Sequence, residues 1–477
     1  MANHSQAEAR PTKVLAVTSL AAFMASLDLF IVNVAFDDIG RDFHGASLSD
    51  LSWVLNAYAI VYAALLVPFG RLADRFGRRA GFLAGVAVFT AASAACAASG
   101  SLWELVAFRI LQAAGAALLT PTSLGLVLAS TPAAQRVKAV RIWAATGALA
   151  AAAGPVVGGL LVQASWRWVF IVNVPVGVLA LVAGVRVIAE SRDHTLTRLP
   201  DLVGALALTI AVGALSLGLV KGSDWGWTAW STLAAFVVAV AGTGVFWLRS
   251  LRHPLPVVEP ALLRIGSFRW ANVTALAFSV GFAAALLAQI LWLRDVWHYS
   301  ALRTGLAVAP GPIMVPIFAG VAQAVAHRTK AGRLGALGCA LFAAGSVLIL
   351  VSVGRTPQYV TEILPGWILG GIGVGLALPT ILSAGTSELP PDRAATGSAV
   401  VNMSRQIGAV VGISVLVALL GTPSSYGDAH AAFQHGWWFC AAAMLLAVPA
   451  ALGMTAKAAV PDTGADLARR RASSGRG

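Results

Sequence analysis

Two charged side chains interrupt stretches of the sequence that are otherwise apolar. Asp28 lies in the apolar run 14–36, and Arg109 lies in the run 103–129. If the two runs cross a membrane in opposite directions, a rise of 1.5 Å per residue places Asp28 about 12 Å and Arg109 about 9 Å below the same surface. An ionisable group at such a depth costs several kcal/mol unless it is paired or hydrated. We therefore expect Asp28 and Arg109 to pair across two helices.

This pair allows two interpretations. In the first, it is a static ion pair that fixes helix packing. In the second, Asp28 carries a proton, because burial favours the neutral acid whereas a neighbouring guanidinium favours the carboxylate. Competition between a proton and a second ligand for one carboxylate would then couple their opposite movements.

Arg405 is a third charged residue inside an apolar run, 398–420. It is expected about 10 Å from the opposite surface, which makes it a poor partner for Asp28. Ser398, Asn402 and Gln406 share a helix face at spacings of three and four residues. This polar stripe is predicted to face protein or water, with Arg405 packing or snorkelling rather than acting on a substrate.

The composition indicates what surrounds these charges. The chain has 477 residues, of which 58% are hydrophobic and 11% are charged, and its mean hydropathy is +0.80. Soluble globular proteins contain about 25% charged residues, so a soluble enzyme and a disordered chain are excluded. A helix of about 20 apolar residues crosses a bilayer. The sequence contains fourteen such runs, at 14–36, 51–70, 80–99, 103–129, 141–163, 168–188, 201–220, 230–249, 270–293, 303–326, 334–353, 363–386, 398–420 and 436–456.

Lysine and arginine are distributed unequally between the connecting segments. Segments on one side hold 25 of them, and those on the other side hold six, which are Arg41, Arg167, Lys221, Arg294, Arg303 and Arg355. The positive-inside rule therefore predicts that both termini lie in the cytoplasm. It also explains the net charge of +13 without a nucleic acid partner.

The predicted fold is an all-α integral membrane protein with two six-helix bundles, 14–188 and 270–456. Two additional central helices, 201–249, are inserted between them. A cytoplasmic N-terminus (1–13) precedes the first bundle, and a basic cytoplasmic tail (457–477) follows the second. A substrate path would lie between the bundles near the membrane midplane.

Motifs for other chemistry are absent from the sequence. There is no G-x-x-x-x-G-K-[ST] loop for ATP, and no His-Glu-x-x-His or Gly-x-Ser-x-Gly motif for hydrolysis. Cys96, Cys339 and Cys440 lie far apart in apolar runs, which argues against a metal site and against disulfides. We expect no enzymatic activity, no cofactor and no metal.

Five segments resemble motifs of the fourteen-helix drug:proton antiporters of the major facilitator superfamily, and the resemblance covers essentially the whole chain. They are L-D-L-F-I-V-N-V-A at 27–35, G-R-L-A-D-R-F-G-R-R at 70–79, R-I-L-Q-A-A-G-A-A at 109–117, G-P-V-V-G-G at 154–159 and W-R-W-V-F-I-V-N-V-P at 166–175. The last of these is interpreted as structural. The sequence departs from the family pattern at Phe30 (threonine), Asp37 (proline), Ala113 (glycine) and Ala150 (glycine).

The resemblance implies a major-facilitator-type fold and roles for particular residues. Asp28 and Arg109 would couple the protein to a proton gradient as its energy source. Conformational gating would involve Gly70, Asp74, Arg75, Gly77, Arg78, Arg79, Gly154, Pro155, Gly158 and Gly159. Charge alone suggests that Asp74 interacts with the positive start of the next helix, and that the arginines form ion pairs which break when their side opens.

The implied function is proton-coupled export of amphiphilic organic molecules, such as drugs, antibiotics or a secondary metabolite, by a monomer in the cell membrane. Its partners would be the substrate, protons and the lipid bilayer. Candidate cavity residues are Asn56, Gln289, Asn402 and Gln406, although each also fits an interhelical hydrogen bond. A single buried acid favours neutral, monocationic or weakly anionic substrates over dications. Two alternatives remain: a metabolite uptake transporter of the same fold, and a membrane receptor or scaffold that does not transport.

Overall fold

The computed structural model describes residues 2–192, 198–390, 393–423 and 425–455, without the side chains of residues 2–10, 137 and 148. The predicted tail at 457–477 lies outside the described residues. The described part consists of helices and their connections, with no strand. This all-helical architecture confirms the predicted fold class.

The first half of the chain forms nine α-helices. Their bounds are α1 Ala2–Asp42, α2 Leu48–Phe76, α3 Arg78–Ala98, α4 Leu102–Ser130, α5 Arg136–Val162, α6 Trp168–Ile171, α7 Asn173–Val187, α8 Leu202–Trp225 and α9 Trp230–Arg252. A 3₁₀-helix, Ala133–Gln135, precedes α5.

The second half forms eight more α-helices. Their bounds are α10 Gly266–Leu291, α11 Ala301–Val308, α12 Pro310–Val325, α13 Ala331–Ser352, α14 Tyr359–Glu362, α15 Leu364–Ser387, α16 Ala394–Leu420 and α17 Tyr426–Leu452. A 3₁₀-helix, Leu262–Arg264, precedes α10, and a π-helix, Trp292–Val296, continues it.

Fourteen segments of the described chain are long and apolar enough to cross a membrane, as predicted. Helices α6 and α7 form one span, Trp168–Val187, and α11 and α12 form another, Ala301–Val325. The last helix begins at Tyr426, ten residues before the predicted start. Ser425 caps it by accepting a hydrogen bond from the Asp428 N–H, so polar residues form its first turns. Hydropathy alone does not detect such turns.

Successive spans connect at two opposite faces of the molecule. We name them the α1–α2 face, which carries residues 43–47, and the α2–α3 face, which carries Gly77. A capping box fixes the start of α2 at the α1–α2 face, where Ser47 and Asp50 exchange hydrogen bonds between side chain and backbone.

The inserted helices α8 and α9 pack against each other, and α8 also packs against α2 and α16. At the α1–α2 face, Lys221 pairs with Asp50 at 2.8 Å, and Ser49 donates to Asp224 at 2.9 Å. Helix α8 therefore lies where the first and second bundles meet.

The start of α8 is fixed at the α2–α3 face by a buried acid, Asp201. Burial opposes its ionisation, but hydrogen bonds from Arg249 and from the Gly204 N–H outweigh this effect and hold the pKa of the carboxyl below its usual value. The ionised Asp201 thus joins α8 to the end of α9.

Candidate functional site

Asp28 of α1 and Arg109 of α4 form an ion pair inside the first bundle. Gln112, one turn after Arg109, donates to Asp28 Oδ1 at 2.9 Å and accepts from Arg109 at 2.7 Å. Asn173, the first residue of α7, donates to the same oxygen at 3.2 Å. Both amides also donate to Ser93 Oγ on α3, at 3.2 and 3.1 Å. Residues of four helices therefore enclose one carboxylate.

Helix α2 completes the surroundings of Arg109. Its Nε donates to the Val54 carbonyl at 3.1 Å, and its guanidinium lies over the Tyr58 ring, 4.1 Å from the centroid. Asp28 is 0% and Arg109 is 1% exposed. The pair therefore faces the interior of the bundle rather than lipid, and neighbouring groups offset much of the cost of burying its charges.

The structure thus brings Asp28 and Arg109 together, as the sequence predicts. The sequence did not predict the contribution of Gln112, Asn173 and Ser93 to this site. Gln112 stands in the quoted 109–117 motif, and Asn173 stands in the 166–175 segment that was interpreted as structural. That interpretation is incomplete, since Asn173 is a direct hydrogen-bond partner of Asp28.

A cavity of about 80 Å³ lies beside the ion pair, between α1, α2, α4 and α5. Aromatic rings and small residues line it: Ala22, Ala25, Ser26, Leu29, Tyr58, Tyr62, Thr120, Trp143, Ala144 and Gly147. Tyr58 both lines the cavity and covers Arg109, and its hydroxyl has no hydrogen-bond partner among the described residues. This single ring therefore stands between the cavity and the buried charges.

The four predicted cavity residues lie elsewhere. Asn56 donates to Ser216 of α8 at 3.3 Å and to Ser414 of α16 at 3.2 Å. Gln289 is fully buried in α10, and neither side-chain polar atom has a partner in the described part of the chain. Asn402 donates to the Ser398 carbonyl at 3.1 Å.

Gln406 is partly buried on α16. None of the four lines the cavity described above, so their contact with a substrate stays a prediction. Asn56 already makes the interhelical hydrogen bonds that the sequence analysis gave as its alternative role.

At the α2–α3 face, the predicted gating loop is held by charged contacts. Asp74, in the last turn of α2, pairs with Arg78, the first residue of α3, at 2.6 Å. The carboxylate that accepts from the first N–H groups of α3 belongs to Glu190, at 3.1 Å from Arg79 N and 3.3 Å from Ala80 N. Two acids therefore lie at the start of α3: Glu190, which follows α7 and accepts from the backbone, and Asp74, which contacts the side chain of the first residue, Arg78.

Backbone geometry explains two glycines of this loop. Gly77 has φ +137°, a conformation that side chains with a Cβ rarely adopt, and an added Cβ would lie 2.8 Å from the Glu190 carboxylate. A Cβ at Gly70 would lie 3.1 Å from Pro121 on α4. Arg75 lies near the Phe76 ring, 5.1 Å from its centroid.

A second set of contacts at this face links the two bundles. Arg71 of α2 pairs with Glu259 at 2.7 Å, and Arg393 pairs with the other oxygen of the same carboxylate. Arg71 also donates to the Pro256 carbonyl. Glu259, in the segment between α9 and α10, therefore bridges the first bundle and the start of α16.

The α1–α2 face has its own ionic contact between the bundles. Arg294 in the π-helix contacts Asp37 and Asp38 of α1, each at 2.7 Å. The prediction that Arg294 lies in a loop is wrong, because this residue belongs to the span Gly266–Val296 and its side chain is 4% exposed. Asp37, where the sequence departs from the family pattern, is one of the two partners of Arg294.

The glycine motif of α5 lies against both bundles. Gly154 and Gly158 pack on α1, where added Cβ atoms would lie 2.6 Å from Phe30 and 3.0 Å from Ile31. Gly159 faces the backbone of α11 in the second bundle, and the carbonyl of Pro155 lies against Gly305 of the same helix. These residues allow the bundles to approach at backbone distance near the α1–α2 face.

Comparisons with known proteins agree with this architecture. The family model described as Major Facilitator Superfamily matches residues 18–413. The chain is 32% identical to the methylenomycin A resistance protein of Streptomyces coelicolor over 86% of both chains. It is 34% identical to the multidrug resistance protein Stp of Mycobacterium tuberculosis, over 85% of this chain and 75% of that protein.

It is also 32% identical to the tetracenomycin C resistance and export protein of Streptomyces glaucescens, over 88% of this chain and 77% of that protein. Among solved structures, a D-xylose-proton symporter superposes with a TM-score of 0.66 at 14% identity, over 93% of this chain and 97% of that one. At that identity the superposition shows the fold alone. The chain is a multi-pass membrane protein and belongs to the Major Facilitator Superfamily.

Proposed function

We propose that this protein is a proton-coupled exporter of amphiphilic organic molecules, with both termini and the α2–α3 face in the cytoplasm. The observation that carries the proposal is the buried Asp28–Arg109 pair, separated by one tyrosine ring from a cavity lined by aromatic side chains. The names of the relatives, which include resistance and export proteins, support export over uptake.

In the proposed cycle, a proton that enters beside Tyr58 binds Asp28 and weakens its attraction to Arg109. The neutral acid still accepts hydrogen bonds from Gln112 and Asn173 on the oxygen that Arg109 does not contact. Loss of the ion pair lets α1 and α4, which both line the adjoining cavity, shift against each other and release the substrate there. Proton entry and substrate exit are thereby coupled.

The contacts at the two faces form the proposed gates. The Arg294 contact with Asp37 and Asp38 would break when the α1–α2 face opens. The bridge from Arg71 through Glu259 to Arg393 would break when the α2–α3 face opens. Each is an exchange of ion pairs for hydrated charges, which changes the free energy by only a few kcal/mol and suits a reversible transition.

Transport in liposomes tests the proposal directly. Purified protein is reconstituted into vesicles with an acidic interior. Three pyrene probes of fixed charge are added outside: the anion 1-pyrenesulfonate, the neutral 1-pyrenemethanol and the cation 1-pyrenylmethyl-trimethylammonium. An antiporter accumulates at least one probe several-fold over protein-free vesicles when the interior is acidic, because substrate moves against the proton flow in either orientation.

The direction of the imposed gradient separates the alternatives. Accumulation only when the exterior is acidic would identify a symporter and contradict export. A receptor or scaffold would accumulate no probe under either gradient, although it would still bind one.

The inserted helices are proposed to move with the first bundle. Ion pairs and hydrogen bonds tie α8 to α2 near Asp50 and Ser49, whereas its polar contact with the second bundle is the 2.8 Å hydrogen bond between Ser216 and Ser414. A disulfide in the double variant Ser216→Cys/Ser414→Cys is therefore expected to reduce transport at least five-fold, with recovery on reduction.

The matched control places the disulfide inside the proposed rigid unit, in Ser49→Cys/Asp224→Cys. Its oxidised form is expected to keep more than half of the activity of its reduced form. The three native cysteines are buried and do not compete for the reaction. Equal inhibition of both double variants, or inhibition of the control alone, would refute the assignment of α8 to the first bundle.

A further inference from the structure

Arg405 is a partly buried arginine whose surroundings differ from those of Arg71, Arg109 and Arg294. Arg71, Arg109 and Arg294 each contact at least one carboxylate. The hydrogen bond of Arg405 goes to a neutral amide, from Nη1 to Asn402 Oδ1 at 3.0 Å. Its Nε is buried without a hydrogen-bond partner, and no described carboxylate lies at ion-pair distance.

The position of Arg405 makes this lack of a counter-charge costly. Helix α16 begins at Ala394, four residues before the predicted start, so Arg405 lies about 16 Å along the helix rather than about 10 Å from the surface. A charge near the middle of a membrane span costs several kcal/mol unless it is paired, and such residues mark ligand sites. Packing alone does not account for an unpaired cation at this depth.

Tyr62 links Arg405 to the cavity. Its ring lines the cavity and stacks on Tyr58, with the centroids 6.0 Å apart and the planes at 15°. Helix α16, which carries Arg405, packs against α2, which carries Tyr62. Ala399 of α16 packs against the apolar cluster that contains Tyr58 and Tyr62. Arg405 of the second bundle therefore lies at the junction with the helix whose tyrosines line the cavity of the first bundle.

The net charge of this region determines what it can bind. Asp28 and Arg109 neutralise each other within a closed set of hydrogen bonds. Arg405 therefore leaves one uncompensated positive charge beside a cavity with three aromatic side chains, Tyr58, Tyr62 and Trp143. Such a site attracts anions and repels cations.

We infer that Arg405 binds an anionic oxygen group of the substrate, and that the preferred substrates are aromatic amphiphiles carrying one carboxylate, phenolate or sulfonate. The planar guanidinium can donate to two oxygens at once, while the aromatic body stacks on the tyrosine and tryptophan rings. This inference rests on the proposed function, and it assigns the substrate class of that same cavity.

Binding without a gradient tests the inference separately from transport. The three pyrene probes are titrated into purified protein in detergent, with probe fluorescence as the readout. The wild type is expected to bind 1-pyrenesulfonate at least ten-fold more tightly than 1-pyrenylmethyl-trimethylammonium. Arg405→Gln is expected to weaken sulfonate binding about ten-fold or more and to leave 1-pyrenemethanol binding within two-fold.

Two further variants separate charge recognition from a loss of structure. Arg405→Lys keeps the charge without the planar fork and is expected to give intermediate sulfonate affinity. Arg303→Gln removes an exposed arginine that lies over Tyr299 at the α1–α2 face and is expected to change no affinity. Unchanged sulfonate binding in Arg405→Gln, or an equal loss for all three probes, would overturn the inference.

The transport assay then distinguishes this failure from failure of the proposed function. If Arg405→Gln still accumulates 1-pyrenemethanol in vesicles with an acidic interior but not the sulfonate, both proposals stand. If the wild type accumulates no probe yet binds the sulfonate through Arg405, export is refuted and the anion site remains.

Discussion

Asp28→Asn is expected to abolish accumulation of substrate driven by a pH gradient while leaving the protein folded. Asparagine has the shape of aspartate and can still accept hydrogen bonds from Gln112 and Asn173, so the enclosing helices keep their contacts. It cannot take up or release a proton at neutral pH. Accumulation in vesicles with an acidic interior should fall at least 50-fold, a change of about 2.3 kcal/mol at 1.36 kcal/mol per factor of ten.

The same variant should still exchange substrate across the membrane when no gradient is imposed. Retained exchange with lost accumulation would identify a defect in coupling rather than in binding. Glu104→Gln is the matched control, because this acid lies in the first turn of the same helix as Arg109 but is exposed and accepts a hydrogen bond only from the Gly100 N–H among the described residues. If Asp28→Asn accumulates substrate as well as the wild type does, another group carries the coupled proton.

The meeting of Asp28 and Arg109 could be predicted because it depends on few variables. Helical rise fixes the depth of each residue, and a low-dielectric environment makes two opposite charges at one depth pair. The number of spans was equally predictable, since about 20 apolar residues in succession leave little alternative. These features depend on local sequence and on charge alone.

Other contacts could not be predicted, because they join segments far apart in the chain. Glu259 bridges Arg71 and Arg393 across 188 and 134 positions, and nothing in a polar connecting segment indicates such a partner. Glu190 reaches the start of α3 only because α7 ends beside it. Neutral residues such as Ser93 give no signal at all, since serine is common in membrane helices.

Arg294 was misassigned for a different reason. A charge at the end of an apolar run is normally counted as part of the following loop, and its neighbour Asp295 supports that choice. In the structure a π-helix extends α10 past Arg294, and the two acids of α1 compensate its charge. Hydropathy therefore marks the end of a span too early wherever an ion pair lies inside it.

Tyr58 bears on whether the buried pair is static or exchanges protons. A static pair needs no neighbouring cavity, and its surroundings would be apolar and fully packed. Here the ring over Arg109 is also a wall of the cavity, so movement of one side chain would bring water to Arg109 and Asp28. The unpaired Tyr58 hydroxyl leaves that ring without a hydrogen bond to hold it in place.

Arg109→Ala is expected to damage the protein more than Asp28→Asn, because it affects both stability and coupling. It leaves a carboxylate at 0% exposure without its counter-charge, and removing one partner of a buried pair costs about 3–5 kcal/mol. The thermal midpoint in detergent should fall by several degrees, and gradient-driven accumulation should be lost. Arg109→Lys should recover part of the stability, although lysine cannot reproduce contacts with Asp28, Gln112 and Val54 together.

Two comparisons decide whether the loss arises from the unpaired charge. The double variant Asp28→Asn/Arg109→Ala removes both charges and should be more stable than Arg109→Ala alone, while remaining unable to couple. Arg167→Ala removes an arginine from a pair with Asp42 in which both side chains are more than a third exposed, and should cost about 1 kcal/mol or less. If Arg109→Ala is no less stable than this surface control, the pair does not stabilise the bundle. If the double variant also accumulates substrate, protons are exchanged at another residue.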